Sequence, residues 1–425
     1  MSIQRRDFLK AGMAGLAAAG MAGCAGVPSG SAARARVVVV GGGFAGATAA
    51  KYVRRLDPSI EVTLVEPSAA FVSCPLSNLV LGGFKTISDI TVPYATLERN
   101  HGVRLVRDTA TAIDADRKVV RLARGGDLPY DRVIVAPGVD FIPDTIAGLG
   151  APDAQERVLH AWKAGPQTVA LRKQLEAMPD GGVYALSIPE APYRCPPGPY
   201  ERACQVAAYF KAHKPRSKVL VLDANADVTS KGPLFKKAWS GMYAGIIEYR
   251  PNHKAIEVDA RRGMLKHEVS DDVRADVLNV VPPMRAGRIA EPFITANKRW
   301  CEVDFLTYES KAARGVHVLG DAIQLAPLMP KSGHMANAQA KVCAAAVVSL
   351  LQGQPPSAAP VVVNACYSWV SDKEVVHVTS VHKYDAKDRT MKVVPGASGV
   401  SAGINTDEAV YAMNWAKNVW ADTLA

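Results

Sequence analysis

Residues 36–46 read RVVVVGGGFAG and decide the fold of this 425-residue chain. The β-branched run predicts a buried parallel strand, and residues 47–56, which follow the glycines with helical spacing, predict a helix. Gly41 allows the tight turn, Gly43 lets the backbone approach a pyrophosphate, and Gly46 lets the helix pack close to the sheet. A second predicted strand ends at Glu66, 20 residues after Gly46, where a carboxylate can hold ribose hydroxyls. The pattern predicts a dinucleotide-binding domain.

Two later segments resemble the flavin-contacting strands of two-domain flavoproteins. Residues 130–138 (YDRVIVAPG) end in a small-Pro-Gly turn at Gly138, and residues 315–322 (GVHVLGDA) end in a Gly-Asp pair. In that superfamily the aspartate, here Asp321, binds the ribityl chain of the flavin. Lys331 opens the next predicted helix, and the resemblance implies that it stabilises negative charge on the reduced flavin, a solvated helix-start cation being the alternative. FAD is therefore the expected cofactor.

A second strand–helix–strand unit of the nucleotide-binding type is predicted from about residue 182. Predicted strands at 183–187 and 218–223 flank residues 188–200, which read IPEAPYRCPPGPY. Prolines offer no N–H to a phosphate, and the Gly-rich phosphate turn is missing from this segment. We therefore expect that this domain does not bind NAD(P)H.

The expected fold class is α/β, with two Rossmann-like dinucleotide-binding domains of the flavin disulfide reductase type and a smaller C-terminal α+β domain. A chain of this length is too long for one hydrophobic core. The expected segments are a signal at 1–32, the FAD-binding domain at 33–150 and 286–350, the second dinucleotide-fold domain at 151–285, and an interface and redox domain at 351–425.

The N-terminus predicts export. Residues 4–10 read QRRDFLK, a twin-arginine signal, and residues 11–25 form a small-residue apolar stretch that is too short and too rich in Ala and Gly to span a bilayer. The sequence before Cys24 also resembles an imperfect lipoprotein cleavage box. We expect a periplasmic protein that is either soluble or lipid-anchored at Cys24, with no later membrane span.

Composition and charge narrow the class of partner. The net charge is +10, which suits docking to an acidic protein and equally fits a generally basic surface. A nucleic-acid partner is not expected, because the chain has no long basic run or aromatic-basic ladder. The spacings of Cys and His suggest neither a zinc site nor a CxxCH haem attachment, so no metal is expected in this chain.

Three further motifs resemble the flavoprotein subunit of flavocytochrome c sulfide dehydrogenase. They are RCPPGPYER at 194–202, PKSG at 330–333 and NACY at 364–367, and the likeness runs from about residue 35 to the C-terminus. It implies that Cys74 is joined through its sulfur to the 8α carbon of the flavin, and that Cys195 and Cys366 form a redox disulfide over the flavin. Pro75 departs from the family pattern and stiffens the loop after Cys74.

The resemblance also implies a reaction and a partner. Hydrosulfide attacks the disulfide, electrons pass to FAD, and sulfur leaves as polysulfide or elemental sulfur. Glu201, six residues after Cys195, is the candidate proton acceptor, and a helix-capping or surface carboxylate is its alternative role. A cytochrome c subunit with one or two haems, bound as a heterodimer, is the expected electron acceptor. Cys204, Cys301 and Cys343 match no motif, and Cys343 is expected in the core.

Two other functions stay open from the sequence. A sulfide:quinone oxidoreductase uses the same scaffold and would need a membrane-binding C-terminus, for which the aromatic residues at helical spacing in 408–420 are suitable. Those residues fit a buried helix or a partner groove equally well. A non-catalytic FAD subunit that activates a sulfur-oxidising complex is the second alternative.

Overall fold

The structure, a computed structural model, describes residues 35–425. The predicted twin-arginine signal and the predicted lipid anchor at Cys24 lie outside the described residues. The strands are β1 (Arg36–Val40), β2 (Glu61–Val65), β3 (Ala70–Val72), β4 (Thr91–Pro93), β5 (Arg104–Val106), β6 (Ala110–Asp114), β7 (Val119–Leu122), β8 (Asp127–Pro129), β9 (Arg132–Val135), β10 (Val139–Phe141), β11 (Val183–Ile188), β12 (Lys218–Asp223), β13 (Ile247–Arg250), β14 (Ala255–Asp259), β15 (Met264–His267), β16 (Val273–Arg274), β17 (Val277–Val280), β18 (Met284–Ala286), β19 (Val316–Val318), β20 (Val361–Trp369), β21 (Val375–Asp385), β22 (Thr390–Val393) and β23 (Gly399–Val400).

The helices connect these strands and cover their faces. They are α1 (Phe44–Leu56), α2 (Ser77–Gly82), α3 (Ala95–His101), α4 (Pro152–Arg157), α5 (Pro166–Ala177), α6 (Gly198–His213), α7 (Gly232–Ser240), α8 (Gly333–Leu351) and α9 (Asp407–Leu424), with short 3₁₀ turns at Ser88–Ile90, Pro143–Thr145, Arg288–Phe293 and Gly320–Ala322.

The first sheet is parallel throughout, in the order β19-β9-β1-β2-β5. The valines of β1 are buried, as expected for a strand in the middle of a parallel sheet. Helix α1 packs on β1, β2 and β9, and α8 packs against α1. The strands predicted from the glycine motif and from the two later segments are confirmed as β1, β2, β9 and β19. Their carboxyl ends meet at one edge, where α/β folds bind their ligands.

The second sheet is also parallel, in the order β13-β12-β11-β17. Its strands β11 and β12 are the pair predicted from residues 183–187 and 218–223. The loop 189–197 leads from β11 into α6, whose buried face packs on this sheet. The α/β fold class, with two dinucleotide-type sheets, is therefore confirmed.

The C-terminal part is an antiparallel sheet, β20-β21-β22 with β23 paired to β21, packed against α9. Strand β20 also contacts α8 of the first sheet's layer and α6 of the second. This strand carries Cys366 to the junction of the three parts of the fold. None of the helices between residues 35 and 425 is long and apolar enough to cross a membrane.

Candidate active site

A cavity of about 1300 Å³ lies at the carboxyl edge of the first sheet. Most of the predicted cofactor-binding residues line it, and they come from the ends of β1, β2 and β9 and from the turns around residues 74 and 321. They are Gly41, Gly43, Glu66, Cys74, Gly138 and Asp321. Gly46 stands behind the turn, where a Cβ would lie 1.8 Å from the Gly41 carbonyl oxygen, so close packing of α1 on the turn requires glycine.

The glycine turn is held open toward the cavity. The Gly42 N–H donates to Glu66 Oε2 over 2.8 Å, and the Tyr94 hydroxyl donates to the Gly42 carbonyl over 2.9 Å. A Cβ at Gly43 would meet nothing within 4 Å, which leaves the backbone there free for close approach of a ligand. Glu66 accepts a second bond from Ser68 and keeps further acceptor capacity for ribose hydroxyls.

Asp321 presents a buried oxygen that lacks a partner among the described residues. Its Oδ1 atom is buried without a hydrogen bond, at the N-terminal end of a 3₁₀ turn on the cavity wall. Burial raises the pKa of Asp321, and the Arg194 guanidinium opposes that rise. An orphaned buried acceptor of this kind calls for a donor from a ligand. Together with the open glycine turn and the cavity's extent, it fits FAD.

Lys331 lies beside the cavity wall and does not itself line the cavity. Its Nζ donates to the carbonyl oxygens of Asp321 and Ile323, each over 2.8 Å, and lies 3.6 Å from the centre of the Trp300 ring. Burial lowers the pKa of Lys331 to about 7. The structure thus gives Lys331 a contact that holds the Asp321 turn, and its effect on the charge of the flavin stays a prediction.

Cys74 lies half-buried on the cavity wall, in a tight turn before α2. Its carbonyl accepts from the Ser77 N–H and from the Ser77 hydroxyl, over 3.0 and 2.6 Å. The preceding Ser73 hydroxyl accepts from the Trp420 indole over 2.9 Å. The Cys74 carbonyl and the neighbouring Ser73 are therefore both anchored, in a turn that lines the cavity.

Cys195 occupies the loop that stands where a phosphate turn would be. Its backbone is left-handed, with φ +60°, and its N–H donates to the Lys331 carbonyl over 2.8 Å. A Cβ at position 198 would lie 2.8 Å from the Cys195 sulfur and 3.0 Å from the Trp162 ring, so only glycine lets the sulfur sit against the start of α6. The Cys195 sulfur and the Trp162 indole therefore both pack against the first residue of α6.

Cys366 reaches the same cluster from β20, 171 residues later in the chain. Its thiol donates to Asn364 Oδ1 over 3.6 Å, and the Ser332 hydroxyl donates to the same oxygen over 2.5 Å. Burial is the main cause that raises the pKa of each thiol, and each is also influenced by Glu201. The charge on Cys366 also raises the pKa of Cys195, as expected for neighbouring thiolates. Both thiols are unbonded in the structure.

Glu201 is buried in the first turn of α6, near enough for its charge to raise the pKa of both cysteines. Its Oε1 accepts from the Trp369 N–H and its Oε2 from the Asn78 amide, each over 3.0 Å. Burial raises the pKa of Glu201, although these two bonds and the nearby Lys231 and Arg202 lower it. A carboxylate whose pKa is raised accepts a proton more readily than an ordinary glutamate does.

Three cations of the site had no role assigned from the sequence, namely Arg194, Arg202 and Lys231. Arg194 lies on the cavity wall. Burial acts to lower its pKa, and the nearby Cys74 and Asp321, which also line the cavity, raise it. The buried Arg202 guanidinium donates to the carbonyls of residues 160 and 161 and lies 4.5 Å from the Trp162 ring centre. A buried cation leaves no periodic signal in a sequence, because its burial depends on contacts between distant segments.

No role in the site is assigned to the other described cysteines. Cys204, Cys301 and Cys343 are fully buried, which confirms the core position expected for Cys343. In the described part of the chain, no group of three or more His, Cys, Asp or Glu side chains is placed to hold a metal ion.

Three family profiles match the chain. The profile described as pyridine nucleotide-disulphide oxidoreductase matches residues 35–176. The profile described as sulfide dehydrogenase (flavocytochrome c) flavoprotein chain, central, matches residues 168–282. The profile described as flavocytochrome c sulphide dehydrogenase, flavin-binding, matches residues 358–424. The central profile thus covers the Cys195 loop, and the flavin-binding profile covers Cys366.

Curated relatives point to the same group. The flavoprotein chain of sulfide dehydrogenase (flavocytochrome c) from Chlorobaculum thiosulfatiphilum is 76% identical over 45 residues, which are 11% of this chain and 94% of that sequence. The mitochondrial sulfide:quinone oxidoreductase of Mus musculus is 25% identical over 311 residues, which cover 68% of this chain and 66% of that protein.

Solved structures share the fold. The sulfide:quinone oxidoreductase of Aquifex aeolicus has a TM-score of 0.74 at 16% identity, covering 92% of this chain and 91% of that one. An NAD-dependent persulfide reductase from A. fulgidus has a TM-score of 0.63 at 17% identity, covering 91% and 77%. At such identities the likeness extends to the fold alone.

Proposed function

The chain belongs to the family of flavocytochrome c sulfide dehydrogenase flavoprotein chains, and we propose that it oxidises hydrosulfide at a Cys195–Cys366 disulfide and sends the electrons through FAD to a cytochrome c. FAD is its cofactor, and its chemistry is that of an oxidoreductase acting on sulfide. One observation carries the proposal: two cysteines 171 residues apart meet a buried carboxyl beside the FAD cavity.

Hydrosulfide opens the disulfide in the first step. A bond forms between the incoming sulfur and one cysteine sulfur, the Cys195–Cys366 bond breaks, and its electron pair leaves as a thiolate on the other cysteine. A second hydrosulfide then takes the outer sulfur of the persulfide and frees the second thiolate. The two thiolates close the disulfide again and release two electrons, which FAD held at Gly41, Glu66 and Asp321 would accept. Overall, two HS⁻ yield HSS⁻, one proton and two electrons.

Glu201 is the proposed acceptor of that proton. It lies in the buried cluster with both cysteines, and burial raises the pKa of its carboxyl. Its two oxygens are held by Trp369 and Asn78, so the carboxyl is fixed in orientation and retains lone pairs for a proton. The alternative role as a capping carboxylate is weakened because its oxygens bond β20 and α2 rather than the free N–H groups of α6.

Transfer to a haem protein completes the proposal. When bound, FAD can accept two electrons together, as a thiol pair donates them, and release them one at a time, as a haem accepts them. The chain has no CxxCH motif, so the haem belongs to a separate subunit. The net charge of +10 and the twin-arginine sequence support docking to an acidic cytochrome in the periplasm. We also propose that Cys74 forms the covalent link to FAD, supported by its place on the cavity wall.

Sulfide:quinone oxidoreduction is the second candidate, favoured by one observation at the C-terminus. Helix α9 leaves Val410 and Tyr411 largely exposed, at 62% and 59%, as a membrane-facing surface would be. The same two side chains fit a protein partner, so the electron acceptor must decide between the two functions.

The purified holoprotein should reduce cytochrome c when sulfide is added. We expect sulfide to bleach the FAD absorbance in stopped-flow mixing without oxygen, and cytochrome co-purified from native periplasm to restore it. A soluble quinone analogue serves as the matched alternative acceptor. Faster reoxidation by quinone would favour the second candidate. No bleaching by sulfide would leave the non-catalytic FAD subunit as the function.

NADH should not reduce the FAD of this protein. The N-terminus of α6 is filled by the Cys195 sulfur and Trp162, and the loop before it contributes prolines where a phosphate would need N–H groups. Mixing with NADH or NADPH at millimolar concentration should leave the 450 nm absorbance unchanged over the time in which sulfide bleaches it. Rapid bleaching at micromolar NADH would show that a nicotinamide site exists despite this loop.

A further inference from the structure

Lys231 is a buried lysine at the start of α7, near the cluster formed by Cys195, Cys366 and Glu201. Its Nζ donates to the Ser368 hydroxyl over 2.7 Å, to the Cys366 carbonyl over 3.1 Å and to the Val376 carbonyl over 3.4 Å. Cys366 and Ser368 are two residues apart on β20, so their side chains point to the same face of the strand. The ammonium group therefore stands on the face that carries the Cys366 sulfur.

The position is unfavourable for a lysine unless an anion appears nearby. Its backbone is left-handed, with φ +58°, and it caps a helix N-terminus, where the helix dipole disfavours a cation. All three of its hydrogen-bond acceptors are neutral. Between residues 35 and 425 it forms no ion pair, although a buried charge is usually paired.

The two cysteines of the cluster differ in what surrounds them. Lys231 is the strongest influence that lowers the pKa of Cys366, and bonds through Asn364 and Ser332 act in the same direction. Burial is the main cause that raises the pKa of Cys195, the charges of Cys366 and Glu201 raise it further, and Arg194 lowers it. A thiolate is therefore better stabilised on Cys366, and the sulfur of lower pKa is the better leaving group.

We propose that Lys231 is a positioning residue that holds the Cys366 sulfur as the thiolate when hydrosulfide opens the disulfide, which directs the incoming sulfur onto Cys195. The inference rests on the proposed function. The bond that breaks is Cys195–Cys366, its electron pair goes to Cys366 beside the ammonium, and the new bond joins the hydrosulfide sulfur to Cys195. The hydrosulfide proton stays on the outer sulfur of the persulfide until the second hydrosulfide arrives.

The first test measures the thiolate on Cys366 directly. In the Cys195→Ser holoprotein, the rate of iodoacetamide alkylation of Cys366 is followed against pH by mass spectrometry. Adding Lys231→Met should slow alkylation at pH 7 by about tenfold or more, because losing an adjacent positive charge raises a thiol pKa by a unit or more. Burial lowers the pKa of Lys231 to about 8, so its ammonium form prevails at pH 7.

Lys231→Gln and Lys231→Arg separate charge from hydrogen bonding. The Gln variant keeps N–H donors for the neutral acceptors but has no charge, so it should slow alkylation as Met does, and Arg should retain the rate. If Gln alkylates at the native rate while Met does not, Lys231 only ties strands together and the proposal is overturned. The other titratable groups that act on Lys231 are Glu201 on α6, Cys195 before it and Glu408 on α9. Glu201 and Glu408 are unchanged in every variant, and position 195 is serine in all of them.

The second test needs no change at Lys231. In the wild-type holoprotein mixed with one equivalent of hydrosulfide and quenched with iodoacetamide, the extra sulfur should map to Cys195. An extra sulfur on Cys366 would overturn the proposal even if every Lys231 variant misfolds. Failure of the proposed function is distinguishable, because it would appear as wild-type FAD that sulfide does not bleach, whereas the alkylation rates do not depend on sulfide turnover.

Discussion

Replacing Cys366 with serine is expected to abolish the reduction of FAD by sulfide while leaving the oxidised flavin spectrum nearly unchanged. Serine is close in size to cysteine and its hydroxyl can keep the bond to Asn364, so β20 and the FAD cavity should be preserved. It cannot form the disulfide that hydrosulfide attacks. We expect the bleaching rate to fall about a thousandfold or more, the scale seen when enzymes lose a nucleophile.

The same loss should follow from Cys195→Ser, since both sulfurs belong to one bond. Peptide mapping under non-reducing conditions should find Cys195 linked to Cys366 in the wild-type protein. Cys204→Ser is the matched control, because Cys204 lies on the helix that Cys195 precedes and is fully buried, but has no role in the reaction. Its rate should stay within about twofold of wild type once FAD content is matched.

Damage to packing would give a different pattern from loss of the disulfide. A merely structural role for Cys366 would lower FAD occupancy and thermal stability together with the rate. If Cys366→Ser reduced FAD with sulfide at the wild-type rate, hydrosulfide would have to attack the flavin directly, and the disulfide mechanism would be wrong.

The nucleotide half of the fold could be predicted from the sequence because its signals are local. A β-branched run, three glycines and an acid at a fixed distance place β1, α1 and β2 and assign Gly41 and Glu66 to one edge of a sheet. The strands ending near Gly138 and Asp321 were found in the same way. In each case the residue's role follows from its place at the end of a strand.

The cluster of Cys195, Cys366 and Glu201, with its buried cations, could not be predicted from local patterns. Cys195 and Cys366 come from different parts of the fold, and only the family resemblance paired them before the structure brought them together. Lys231 and Arg202 have neighbours in sequence that suggest an ordinary helix start and an ordinary helix surface. Their burial follows from how α6, α7 and β20 pack, which the spacing of residues within one segment does not encode.

The direction of the Lys331 side chain is a third feature that the sequence could not predict. The sequence placed Lys331 at the start of a helix that borders the cavity. That helix, α8, begins two residues later at Gly333, and Gly333 and Ala336 line the cavity. The direction of the side chain was set instead by two carbonyls of the Asp321 turn and by the Trp300 ring. A helix dipole predicts which charge is favoured near an end, and the neighbouring carbonyls decide where a long side chain points.

Cys74→Ala should convert FAD from covalently bound to releasable. In trichloroacetic acid precipitation, the yellow colour of the wild-type protein should stay in the pellet, and that of the variant should move entirely to the supernatant. The variant should still fold and retain FAD before denaturation, because the Gly41–Gly46 turn, Glu66 and Asp321 line the cavity independently of the thiol. Cys301→Ala, at a fully buried cysteine that does not line the cavity, is the control and should leave the colour in the pellet.

The outcome depends on the turn that presents Cys74. Pro75 fixes one backbone angle after the cysteine, and Leu76 is left-handed with φ +70°, so the thiol has little freedom to search for the flavin carbon. Such a turn either aims the sulfur correctly or prevents the bond from forming. If the wild-type supernatant carries all the flavin, the turn prevents it, and FAD is held by the cavity alone. The sulfide chemistry would survive that result, because the Cys195–Cys366 cluster uses different residues, and the two predictions can therefore fail separately.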